Sequence, residues 1–71
     1  MTDIEIHTET IQLDQFLKLA GAVRSGGMVK ELIAAGAILR NGEVETARRR
    51  KLVPGDIITL DGTDTYRVTR A

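Results

Sequence analysis

The chain opens on an alternation. Ile4 and Ile6 are interleaved with Glu5 and His7, the period of two that a half-buried strand requires. A partly extended connector is expected over residues 8–12. At residue 13 the period changes. Leu13, Phe16, Leu17 and Ala20 fall on one face of a helix, with Asp14 in the first turn, where the positive end of the helix dipole favours an acid. Gly21 is the expected stop, since glycine closes a helix at little steric cost. Ser25 is the expected N-cap of a second helix. Val29, Leu32 and Ile33, with Met28 beside them, form its apolar face, Lys30 and Glu31 fall toward the other side, and Gly36 ends it. Helices this short persist only by packing against something else.

The second half alternates again. Residues 37–40 and 43–46 read as strands joined by Asn41-Gly42, a two-residue turn in which both positions take positive φ. Ile38 and Val44 are expected to face the core, and Arg40 to face outward. Val53-Pro54-Gly55-Asp56 is turn chemistry, with proline presetting φ and glycine supplying the positive φ of a type II turn. Residues 57–60 form a strand, Asp61-Gly62 begins a tight connection, and residues 65–70 form a terminal strand carrying Tyr66 and Val68 on one side. A strand, two helices and then about four strands predict an α+β fold. Two short helices would pack on a small, mainly antiparallel sheet of about four to five strands. A length of 71 residues supports one domain, 1–71. A domain of that size buries only ~60% of its unfolded surface.

Composition narrows the class. There is no cysteine, which removes disulfides and thiolate metal sites. The N-terminal stretch is acidic where a secretory signal would be basic, and no apolar segment follows; a cytoplasmic location is expected. No apolar run approaches the ~20 residues of a membrane span. Ten basic and ten acidic residues cancel in sum, but they are unevenly spread. Asp3, Glu5, Glu9 and Asp14 fall in a stretch with no Lys or Arg, whereas Arg40, Arg48, Arg49, Arg50 and Lys51 face only Glu43 and Glu45 over residues 40–51. For a polyanionic ligand the patch outweighs the sum, because screening confines each charge to about 8–10 Å.

Arg48, Arg49, Arg50 and Lys51 are the main candidates. Guanidinium forks match phosphate oxygens and stay charged at any cellular pH. Four adjacent cations repel one another, so the fold gains nothing obvious from them. The alternatives are a solvated loop, or pairs with Glu43 and Glu45 across the hairpin, worth only ~0–1 kcal/mol each. Arg24 and Lys30 lie on either side of the Ser25 cap, and Arg40 stands at the hairpin tip; with the cationic run they would make one basic face. Asn41 is a turn residue whose exposed amide could also bond a nucleic acid. Gly26 and Gly27 are odd in a first helical turn, where each costs up to ~1 kcal/mol relative to Ala. Two explanations stand side by side: a phosphate or base approaches the bare backbone N–H groups, or the turn packs on the first helix too closely for a Cβ. Phe16 and Tyr66 are the only aromatics, too few to stack successive bases, which for a nucleic-acid ligand favours a folded one read through phosphates and shape. His7 has no second ligand nearby, no nucleophile has a histidine partner, and no phosphate-loop or dinucleotide motif occurs. No catalysis, metal or cofactor is expected.

The marks from Asp14 to Asp56 are Asp14-Gln15-Phe16-Leu17, Ser25, Lys30, Leu32-Ile33, Gly36, Asn41-Gly42 and Pro54-Gly55-Asp56. In this order and spacing they resemble the S4 RNA-binding domain, with a core motif at about residues 13–60. The small stand-alone subgroup called YaaA-like or YbcJ-like is the most similar, through Phe16-Leu17-Lys18-Leu19, Ser25-Gly26-Gly27, Asn41-Gly42-Glu43-Val44-Glu45-Thr46 and the arginines that follow. The resemblance implies the S4-like (αL) fold and binding of structured RNA, often ribosomal, without catalysis. It implies RNA as partner, with ribosome-associated proteins nearby, and a monomer suffices. The wider family places an arginine directly after the serine, where this chain has Gly26; Arg48 to Lys51 are the expected compensation. The resulting site is Arg24, Ser25, Lys30, Arg40, Asn41, Arg48, Arg49, Arg50 and Lys51. The competing expectation is a protein-interaction adaptor, using the basic loop and an acidic N-terminal edge strand.

Overall fold

A computed structural model describes all residues, Met1–Ala71. Strand β1 (Thr2–Ile6) is followed by β2 (Ile11–Gln12), helix α1 (Leu13–Leu19) and helix α2 (Gly26–Ala34). Then come β3 (Ile38–Arg40), β4 (Glu43–Val44), β5 (Lys51–Leu52), β6 (Ile57–Leu60) and β7 (Asp64–Arg70). Five strands form one sheet in the order β1-β7-β6-β3-β4, while β2 and β5 form a separate two-stranded ladder. The large sheet is antiparallel except for β1, which runs parallel to β7 with Ile4 opposite Val68.

The helices end where their chemistry says they should. The Ser25 hydroxyl accepts from the Met28 N–H at 3.4 Å and caps α2. Gly36 follows the last turn with φ +68°. Leu13, Phe16 and Leu17 of α1 and Val29 of α2 are buried against Ile6, Ile38, Ile58, Leu60 and Val68 of the sheet, with Val23 and Leu52 closing the sides. Leu32 and Ile33 are partly buried against this core.

The β3–β4 hairpin corrects two expectations. Asn41 and Gly42 do take positive φ, 52° and 87°. Leu39 pairs with Val44 and Arg40 with Glu43, so Ile38 stands opposite Glu45, whose N–H reaches the Ile38 carbonyl at 2.9 Å. Val44 therefore lies on the outer face beside Leu39, 57% exposed, and Glu45 turns inward, 4% exposed. Arg40, two residues from Ile38, shares the inner side rather than facing outward; its guanidinium is half-buried.

The β2–β5 ladder was also not expected. Ile11 pairs with Leu52 and Gln12 with Lys51. This brings the basic segment to the start of α1, which has no side-chain cap of its own. Backbone carbonyls fill that role: Leu13 N–H donates to Arg50 at 2.8 Å and Asp14 N–H to Arg48 at 3.0 Å.

Candidate nucleic-acid interface

The cationic run is a β-turn with one strand of the small ladder behind it. Arg50 N–H donates to the Ala47 carbonyl at 3.1 Å, leaving Arg48 and Arg49 at the two corners, both exposed. Neither forms an ion pair, and nor do Lys51, Arg24 and Lys30. Arg50 differs. Its Nε donates to Glu45 Oε1 at 2.9 Å and its terminal nitrogen to Oε2 at 3.3 Å. Arg40 Nε donates to the same Oε1 at 3.1 Å, and its other end lies 3.8 Å from Asp56. One acid thus gathers two of the predicted cations.

Sequence reasoning weighed Glu45 only as a surface partner and missed its burial. The signal was present in the register: a two-residue turn at 41–42 puts residue 45 opposite residue 38, on the core side. An isolated carboxylate there would be costly. Glu45 instead accepts from Arg40, Arg50 and the Thr46 and Ala47 N–H groups, the last two at 2.9 and 3.0 Å. Burial alone would raise its pKa. The hydrogen bonds from Arg50, Ala47 and Thr46 and the charge of Arg50 outweigh that and bring it from 4.5 to about 2. The hydrogen bond and charge of Glu45 in turn raise the pKa of Arg50.

Asn41 is committed to the fold. Its Nδ2 donates to Asp56 at 3.0 Å and its Oδ1 accepts from Ile57 N–H at 2.9 Å. Asp56 is 8% exposed and also accepts from Val53 N–H at 2.9 Å. The hairpin tip is thereby bolted to the turn before β6. The Ser25 hydroxyl is likewise engaged by its own helix.

The predicted residues thus form two groups. Arg40, Asn41, Arg48, Arg49, Arg50 and Lys51 belong to one connected unit around Glu45 and Asp56. Arg24 and Ser25 sit at the start of α2 and Lys30 midway along it, with no hydrogen bond or ion pair to that unit. The two explanations for the α2 glycines also separate. A Cβ at Gly26 would meet nothing within 4 Å, and one at Gly27 would meet only Ser25 Oγ at 3.6 Å. Crowding against α1 does not require glycine there, and the first turn of α2 is open. No group of His, Cys, Asp or Glu is placed to hold a metal.

Four matches with known proteins bear on the family of this chain. A family model described as the S4 domain matches residues 4–69. A Bacillus subtilis (strain 168) protein named "Probable ribosome maturation protein RlbA" is 43% identical over 65 residues, covering 92% of each chain. The YbcJ sequence of Escherichia coli (strain K12) is 38% identical over 52 residues, 73% of this chain and 74% of that one. The solution structure of YbcJ from E. coli, described as revealing an αL motif involved in RNA-binding, superposes with a TM-score of 0.73 at 31% identity. That match covers 97% of this chain and 87% of YbcJ.

Proposed function

Since the chain belongs to the S4 domain family, we propose that it is an RNA-binding module that grips structured RNA, with ribosomal RNA as its target. The observation that carries this is the 47–50 turn, which holds two unpaired arginines out to solvent from an anchored backbone. Lys51 stands beside it, and Arg24, just before α2, and Lys30, within α2, are further exposed cations without an ion pair. Arg40 and Arg50 present guanidinium groups already oriented by Glu45. The scarcity of aromatic side chains favours phosphates and helix shape over stacked single-stranded bases. The name carried by the B. subtilis relative supports ribosomal RNA as the class. The module works as a monomer and in the cytoplasm on this reading.

Binding of this kind releases counterions and weakens steeply with salt. The test is the affinity for a labelled stem-loop RNA, measured across salt concentrations, for the wild type and for R48A/R49A. Weaker binding and a flatter salt slope are expected from the double substitution; an unchanged affinity and slope count against the surface. Crosslinking in cells followed by sequencing should enrich ribosomal RNA, and recovery of messenger RNA alone would redirect the target. A second reading, a protein adaptor, is favoured by one observation: β1 has a neighbour on one side only. Partners that survive ribonuclease treatment of a pull-down would support it.

A further inference from the structure

One carboxylate holds both ends of the arginine turn. At the first end, Glu45 Oε2 accepts from the Ala47 N–H at 3.0 Å. At the last, both carboxylate oxygens accept from the Arg50 guanidinium, at 2.9 and 3.3 Å. The far side of the turn is fastened to the first turn of α1 through the Arg48 and Arg50 carbonyls. Arg48 and Arg49 are left at the corners between these fastened points, with side chains free of hydrogen bonds and ion pairs. Glu45 itself is 4% exposed and offers no surface to a ligand.

We propose that Glu45 is the positioning residue of the RNA-binding surface, a buried negative charge whose presence strengthens binding to a polyanion. The proposal rests on the reading of Arg48 and Arg49 as RNA contacts and adds the device that sets them. Two effects of the carboxylate oppose each other. Its charge subtracts from the positive potential that draws RNA in. Its hydrogen bonds fix the turn before RNA arrives, so less ordering remains to be done on binding. Glu45 accepts N–H bonds at both oxygens, and two arginines beside it neutralise its charge locally. The first effect is therefore blunted and the second is not. Glu43 is the natural comparison. It carries the same charge on the same hairpin, but it is exposed and takes part in no side-chain hydrogen bond or ion pair.

The two substitutions E45Q and E43Q raise the net charge equally, and the positioning role separates them. With a fluorescein-labelled stem-loop RNA at fixed salt, E43Q should bind as tightly as the wild type or more tightly. E45Q should bind on the order of tenfold more weakly despite its added positive charge, the scale of removing one charge-assisted hydrogen bond. In E45Q the Thr46 and Ala47 amide hydrogens should exchange faster, while those of β6 and β7 stay protected as in the wild type. Binding of E45Q as tight as that of E43Q overturns the proposal. If E45Q does not fold, E45D answers the same question: it keeps the charge but shortens the reach to the Ala47 N–H and the Arg50 guanidinium, and an undiminished affinity overturns the proposal equally. R48A/R49A measured alongside separates the two levels. Weaker binding there together with full-strength E45Q binding removes only the positioning role. No effect of R48A/R49A removes the surface and the positioning role together.

Discussion

Glu45 accepts five hydrogen bonds inside 4% exposure, and this makes acid the condition to which the hairpin is most sensitive. Burial pulls its pKa up, but the bonds from Arg50, Ala47 and Thr46 prevail and hold it at about 2. A carboxyl depressed in the folded state stabilises the fold above its unfolded pKa and loses that contribution as pH falls through the folded value. The loss should therefore fall between about pH 4.5 and pH 2 and amount to on the order of 3 kcal/mol. Urea midpoints measured across that window check it, and E45Q should flatten the dependence. Asp3 adds in the same direction, because the hydrogen bond from Arg67 lowers its pKa; at an exposed site this effect is small. Composition alone marked Glu45 as one more surface acid. Its burial was legible only by counting register outward from Asn41-Gly42.

Among the elements, α1 and α2 were the most legible, because seven- and nine-residue helices show their apolar face in the sequence and carry end signals such as Ser25 and Gly36. β6 was equally clear between two turns. The two-residue strands β2 and β5 are too short for any period to show, and their pairing is tertiary. For the same reason the mooring of the arginine turn to α1 was not visible beforehand. The start of α2 yields its own prediction. A Cβ at Gly26 finds open space, so Gly26→Ala should raise stability by ~0.4–1 kcal/mol. If the bare backbone there admits RNA, the same substitution should weaken binding. A rise in melting temperature together with a fall in RNA affinity is the expected pair of results; a rise in both would leave the open turn without a role.

For the whole molecule, charge is zero in sum, and binding must come from its arrangement. Arg40 and Arg50 are held in a local ion-pair network, whereas Arg48 and Arg49 can be removed without loosening it. R48A/R49A should shift stability within about ±0.5 kcal/mol per site. It should flatten the plot of log affinity against log salt by ~0.7–0.9 for each phosphate no longer neutralised. Arg50→Ala, by contrast, should disturb the turn itself. The sheet supplies a further prediction. β1 buries Ile6 and part of Ile4 and is tied to β7 by Arg67 on Asp3 at 2.9 Å. Deleting residues 1–7 should cost ~3–5 kcal/mol at ~1.5–3 per buried side chain, a large part of the 5–15 kcal/mol margin typical of a domain. Far-UV circular dichroism on heating should then show an early, broadened transition. The α+β class could be read from element order. That the first strand lies parallel to the last could not, because nothing local specifies which strand becomes its neighbour.

That parallel pairing also sets a schedule. The residues β1 needs are 64 positions further along, so a nascent chain leaving the exit tunnel carries β1 unmatched until β7 has emerged. Ile4 and Ile6 stay in water through that interval, while α1, α2 and the β3–β4 hairpin can already assemble behind them. Closure of the sheet is the last event, and it waits for β7.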